Sequence, residues 1–152
     1  MKLQVKHLAP YLPYKPKILA PTWLDSNKKE IDAVMEVSFD GYINLDNGYF
    51  HFIEDVKVFL RPLSDLTKEI QHNEESFIPM QVMQERFTKR LRFDSNGFYY
   101  HIDKSRVRGN SHDTHFPFSQ LEAYGYLFKW HFDVFGLIEK GLAIDINKLL
   151  DN

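Results

Sequence analysis

Cysteine is absent from the 152 residues. That excludes disulfide staples, thiolate metal sites and a thiol nucleophile, and it fits a reducing compartment. Long apolar runs are missing as well: no stretch approaches the roughly 20 residues a membrane-spanning helix needs. Met1 to His7 lacks the apolar stretch of a signal peptide. A cytoplasmic protein is expected. Catalytic signatures are equally scarce, with no glycine-rich phosphate loop, no Gly-x-Ser-x-Gly elbow and no His-Glu-x-x-His zinc helix. Carboxylates such as Asp40, Asp46, Glu54 and Asp55 sit near turns, where turn chemistry explains them. An enzyme would need a site scattered along the chain, so the expectation is a protein that is not an enzyme and holds no cofactor.

What the chain does have is rings. Thirteen Phe and eight Tyr accompany a hydrophobic content of 43%, enough for an ordered globule with an aromatic core. A chain of this length buries about two-thirds of its unfolded surface without staples. No repeat, low-complexity tract or linker divides it, and one domain over residues 1–152 is expected.

The net charge of −2 conceals an asymmetry. Seven basic residues lie between Arg86 and Arg108 against Asp94 and Asp103, making that segment +5 and leaving −7 elsewhere. Arg86, Lys89, Arg90, Arg92, Lys104, Arg106 and Arg108, with Tyr99 among them, are the candidate partner-binding residues. Guanidinium groups neutralise phosphates and rings stack on unpaired bases, so the segment could grip single-stranded RNA. The same charges could dock on an acidic protein surface, or stay solvated on a strand face. The acidic overall balance argues against a dedicated nucleic-acid binder.

Along the chain, Leu3 to Leu12 carries one short helical pattern before Pro10, Pro13 and Pro16 interrupt it. Lys17 to Leu24 reads as a strand that Pro21 marks as an edge or bulged one. Val34 to Phe39 alternates with the period of a half-buried strand, and Asp46-Asn47-Gly48 predicts a hairpin between Tyr42–Leu45 and Tyr49–Ile53. Alternation resumes at Val56, Val58 and Leu60. Ser64 reads as the N-cap of a short helix through Leu66 and Ile70, ending near His72-Asn73. Pro79 opens a second helix to about Arg86, and Asn96-Gly97 predicts a hairpin after it. Residues 104–117 read as a polar loop.

The longest pattern comes last. Leu121, Tyr124, Phe128, His131, Phe135, Ile138 and Leu142 recur at steps of three and four, with Leu127, Trp130, Val134 and Leu137 alongside. Glu122, Lys129, Asp133 and Lys140 fall in one narrow strip. The spacing predicts a helix from Ser119 to a C′ glycine at Gly141. A helix apolar around most of its circumference is either a core element or a docking element, and the core reading is the expectation. The fold class expected is α+β, a curved antiparallel sheet packed on one long C-terminal helix with short accessory helices.

His112, Asp113 and His115 form the one cluster of metal-ligating types. Adjacent residues in a polar loop lack the rigid geometry a metal needs, so a solvated loop is expected and no metal. His131, on the apolar stripe, is expected to be a hydrogen-bonded core histidine.

Three strings carry a resemblance: Leu8–Tyr14 (LAPYLPY), Leu60–Ile70 (LRPLSDLTKEI) and Trp130–Asn147 (WHFDVFGLIEKGLAIDIN). Together they cover roughly a quarter of the chain and resemble small uncharacterised proteins encoded in prophages and mobile elements of Bacteroidetes-type bacteria. Nothing familiar covers residues 78–120. The resemblance implies a mobile-element setting, in which small proteins act by binding host machinery. Bacteria of that lineage use type VI-B RNA-targeting CRISPR effectors. The setting therefore implies a non-catalytic anti-CRISPR inhibitor that binds such an effector with its guide RNA in the bacterial cytoplasm. The alternatives are an RNA-binding module built on residues 86–108 and a metal-assisted enzyme with a dispersed site.

Overall fold

The computed structural model describes residues 2–22, 29–87, 91–94, 97–100 and 120–149. Its strands are β1 Lys17–Pro21, β2 Lys29–Val37, β3 Tyr42–Leu45, β4 Phe50–Phe52, β5 Lys57–Leu60, β6 Ile70–His72, β7 Glu75–Phe77, β8 Leu91–Asp94, β9 Gly97–Tyr100 and β10 Ala143–Asp145. The helices are α1 Val5–Leu8, α2 Pro79–Arg86 and α3 Gln120–Lys129, with single 3₁₀ segments at Ala9–Tyr14, Ile53–Asp55, Leu63–Thr67 and Ile146–Leu149. The fold is mixed α+β, as the patterning indicates, with the longest helix towards the C-terminal end. The backbone groups into two compact units, one of residues 1–63 and 127–152 and one of residues 64–126.

The first unit is built on a six-stranded sheet of order β10-β5-β1-β2-β3-β4. Neighbours run antiparallel except β5 and β10, which are parallel through Ala143–Val58 to Asp145–Leu60. The all-antiparallel expectation is corrected there, because the chain re-enters the sheet after a crossover rather than a hairpin. β1 is an interior strand, not the edge that Pro21 suggests. Pairing to β5 involves only Ile18 and Leu19, so Pro21, at the strand end, interrupts no ladder on that side. Alternate residues of each strand face one core: Ile18 and Ala20, Val34, Ile43 and Leu45, Val58 and Leu60 are all buried. Leu3, Leu8, Tyr11 and Leu137 close over them, with Phe128, Phe135, Ile138 and Leu142 packed alongside.

The helix expected to run to Gly141 stops at Lys129. His131 adopts φ +58°; its N–H donates to the Phe128 carbonyl (3.0 Å) and the Phe132 N–H to the Leu127 carbonyl (2.8 Å). This is a Schellman stop with histidine at the left-handed position usually held by glycine. The strain is offset by His131 Nε2, which lies 3.0 Å from the Tyr14 carbonyl oxygen. His131 is thus hydrogen-bonded as expected, but it is half-buried instead of in the core, and it sits at a helix stop instead of on a helical stripe. Gly141 does occupy a C′ position, at φ +69°, closing the short turn of residues 137–140. Asp133, one of the four charged residues of the narrow strip, is buried (6% exposed). Its carboxylate accepts the Leu137 N–H at 2.7 Å and the Ile138 N–H at 2.8 Å. Backbone bonds tie this segment to the end of β5: Arg61 N–H donates to the His131 carbonyl and Asp133 N–H to the Arg61 carbonyl.

In the second unit the short helix expected through Ile70 is replaced by a 3₁₀ turn and the β6–β7 hairpin. Asn73 and Glu74 form its two-residue loop with φ +50° and +69°, a turn whose twist matches antiparallel strands. α2 begins at Pro79 and ends at Arg86 as the sequence indicates, and β8 pairs with β9 where a hairpin is expected. Gly97 lies at φ +104°, and a Cβ there would come within 3.0 Å of the Tyr124 hydroxyl. Phe98 packs edge-on against both Phe93 and Tyr124.

Candidate functional site

The basic candidates are only partly placed. Arg86, the last residue of α2, is exposed, and its guanidinium lies 3.7 Å from the Glu122 carboxylate. Arg92 on β8 donates to the Leu91 carbonyl at 2.7 Å. Tyr99 is the register partner of Arg92 across the hairpin. Lys89, Arg90, Lys104, Arg106 and Arg108 lie outside the described residues, as do His112, Asp113 and His115. Among the described residues no group of three His, Asp or Glu gathers in a way that could hold a metal. None of their helices is long and apolar enough to cross a membrane.

The buried polar groups near the helix stop are structural in character. The Tyr11 hydroxyl donates to the Phe132 carbonyl at 2.7 Å, and the Val134 N–H reaches the hydroxyl oxygen at 3.4 Å. Burial pushes the Tyr11 phenol well above its ordinary pKa, with the Asp133 carboxylate adding to the effect. With its proton on the Phe132 carbonyl, the hydroxyl braces the segment that follows α3. Behind β4, His51 and Glu30 face one another with Nε2 and Oε1 3.7 Å apart. Two groups of that kind can balance charge, but they make no nucleophile–base pair.

Sequence reasoning missed the surface feature the structure does present. Nine large apolar side chains are exposed among the described residues, and seven of them lie within residues 31–52: Ile31, Met35, Phe39, Tyr42, Tyr49, Phe50 and Phe52. The period-2 geometry of β3 and β4 sends Ile43, Leu45 and His51 inward and Tyr42, Phe50 and Phe52 outward. Register places Tyr42 opposite Phe52. Their rings lie 4.6 Å apart, and Tyr42 meets Phe50 edge-on at 5.9 Å. The register shift between Val34 and Glu36 inserts Met35 as a bulge on β2. Phe39, in the turn entering β3, is fully exposed. That turn is held by the Ser38 hydroxyl, which accepts the Tyr42 N–H at 3.1 Å, and by Ile53 N–H donating to the Gly41 carbonyl. Beyond β3, the Asn47 N–H donates to the Asp32 carboxylate (3.1 Å) and Tyr49 N–H to the Asn47 side chain (2.9 Å). The rings therefore stand on a hydrogen-bonded frame. One signal was available: the rings Tyr42, Phe50 and Phe52 occupy positions that alternate with the inward residues Ile43, Leu45, His51 and Ile53.

No family model matches the chain, and no curated protein or solved structure is significantly similar to it.

Proposed function

We propose that this chain is a non-catalytic interaction protein, acting as one domain in the bacterial cytoplasm and binding a partner through the outer face of β2–β4. The observation that carries the reading is the group of exposed rings, Tyr42, Phe50 and Phe52, in mutual contact on the outer face of β3–β4, with further exposed apolar side chains in the adjoining turns and on β2. Isolated exposed apolar residues need no explanation, but a contiguous group of them on a rigid frame marks an interaction surface. Tyr and Phe are also the rings enriched at interface cores. In this reading the Met35 bulge bends β2 beside the aromatic group. The mobile-element setting implied by the resemblance makes the partner a host defence ribonucleoprotein, such as a type VI-B effector with its guide RNA.

The test is affinity capture from a host bacterium with wild-type protein and a Phe50→Ser, Phe52→Ser double variant. Both rings are half-exposed, so the variant should keep the fold, checked by its melting curve, and lose the captured partner. An unchanged set of captured proteins would remove this face from the account. A second reading, RNA contact through residues 86–108, draws on the pairing of Arg92 with Tyr99 across β8–β9. A gel shift with single-stranded RNA addresses it, since phosphate contacts must weaken steeply with salt.

A further inference from the structure

Charge narrows what the β2–β4 face can take. Between Lys29 and Lys57 the sequence has seven acidic residues, Glu30, Asp32, Glu36, Asp40, Asp46, Glu54 and Asp55, and no Lys or Arg. Five of them are exposed: Glu36 on β2, Asp40 in the turn before β3, Asp46 in the turn after it, and Glu54 and Asp55 just past β4. Glu36 lies beside the ring-bearing strands, accepting from the Asn44 amide at 3.3 Å. Glu54 pairs with Lys2 at 2.6 Å, the one cation among the described ion pairs that reaches this rim. The rings are therefore bordered by carboxylates.

Such a border discriminates between occupants. Phosphate backbones and anionic bilayers would be repelled. A second copy docked by the same face would set carboxylate against carboxylate, which is costly at an interface. An aromatic face carries negative charge density above its ring plane and so attracts cations, arginine above all, because a planar guanidinium stacks on a ring while bonding a carboxylate at its edge. Lysine, a compact and strongly hydrated charge, gains less from the rings.

We infer that the β2–β4 face binds an arginine-rich segment of a partner protein, a cationic surface of the kind that otherwise holds nucleic-acid phosphates. The inference rests on the interaction reading above and names the chemistry of its partner. Guanidinium groups stack on Tyr42, Phe50, Phe52 and Phe39, and Glu36, Asp40 and Asp46 supply the opposite charge.

Fluorescence anisotropy with labelled oligo-arginine, oligo-lysine and oligo-glutamate peptides of equal length tests it on the full chain. Oligo-arginine should bind about tenfold more tightly than oligo-lysine, the ratio expected from one to two ring stacks, and oligo-glutamate should not bind. Phe50→Ser with Phe52→Ser should bring arginine affinity down to the lysine level. Asp40→Asn with Asp46→Asn should weaken both cationic peptides. Should the double serine variant fail to fold, Phe39→Ser carries the same test, since Phe39 touches no core. Equal arginine and lysine affinities that ignore the ring variants would overturn the inference, reducing the binding to general charge attraction. Self-association by sedimentation that the ring variants abolish would overturn it too, making a second copy the occupant. If oligo-arginine fails to bind while host capture still depends on Phe50 and Phe52, the inference falls and the interaction reading stands. If capture ignores those rings, the interaction reading itself falls.

Discussion

Replacing Asp133 by alanine removes the acceptor that holds the loop after α3 in place. The carboxylate is buried and takes two backbone donors, Leu137 N–H at 2.7 Å and Ile138 N–H at 2.8 Å. Those donors are the first two residues of the turn that Gly141 closes, so no helical carbonyl can replace the lost acceptor. Hydrogen bonds to a charged group contribute about 1.5–3 kcal/mol each, and orphaned buried donors carry their desolvation penalty in full. Taking the low end for both bonds, since water can enter beside the half-buried Ile138, Asp133→Ala should cost about 3 kcal/mol. For a chain of this size that lowers the melting temperature by about 6–12 °C. Asp133→Asn keeps one carbonyl acceptor and should lose about half as much. Thermal unfolding followed by circular dichroism reads both. A melting temperature for Asp133→Ala within about 2 °C of wild type would mean these bonds do not hold the loop.

Two further outcomes are open to unfolding measurements. Leu137 is fully buried and Leu121 is 81% exposed, although both lie in the apolar pattern of the sequence. Leu137→Ala should cost about 2–5 kcal/mol and Leu121→Ala less than about 0.5 kcal/mol by denaturant titration; equal costs would restore the long-helix reading. His7 Nδ1 accepts the Gln4 N–H at 3.2 Å as the return half of a capping box. Desolvation, with Lys6 and Lys140 nearby, lowers its pKa below the ordinary 6.5. The unfolded chain therefore binds this proton first. The contribution of His7 is complete above the ordinary value and is lost as pH falls through the lower folded-state value. His7→Gln retains an acceptor without titrating, so melting curves should show a weaker acid sensitivity in the variant, and an identical pH dependence would dismiss the role.

Much of the fold was legible because its signals are local. Asp46-Asn47-Gly48 turns between β3 and β4, Pro79 opens α2, and the 34–39 alternation lies largely within β2. Each depends on a few neighbouring residues and on no tertiary partner. The two misread helices share one property: a left-handed residue that is not glycine at or just past the point where the expected helix gives way. Asn73 and Glu74 close a hairpin whose first strand, Ile70–His72, takes the last residues of what reads as a helix through Leu66 and Ile70. His131 ends α3 in the middle of a periodic apolar run. These conformations cost energy locally and persist because other bonds hold them, the Tyr14 carbonyl far along the chain for His131 and the flanking β6–β7 ladder for Asn73 and Glu74. The period of the run survives past His131 because Phe135, Ile138 and Leu142 still pack on the core, from a turn and loop instead of a helix.

The candidate site was harder to read than the fold for a different reason. The basic residues between Arg86 and Arg108 crowd together in sequence and draw notice as a cluster, whereas the acidic ones between Glu30 and Asp55 are spread out in ones and twos. Antiparallel pairing shortens those separations. Phe50 and Phe52 return beside Asn44 and Tyr42, and Glu36 comes opposite Asn44. Charges and rings that are ten or more residues apart then share a single face, and the carboxylate-rimmed surface exists only once β2, β3 and β4 have found their register. Register in turn is set by the inward residues Val34, Ile43 and Leu45, since a one-residue slip would bury Tyr42 and expose Ile43. The core thus determines which rings are left outside, and the outward aromatic set is a consequence of packing that no motif search along the chain can see.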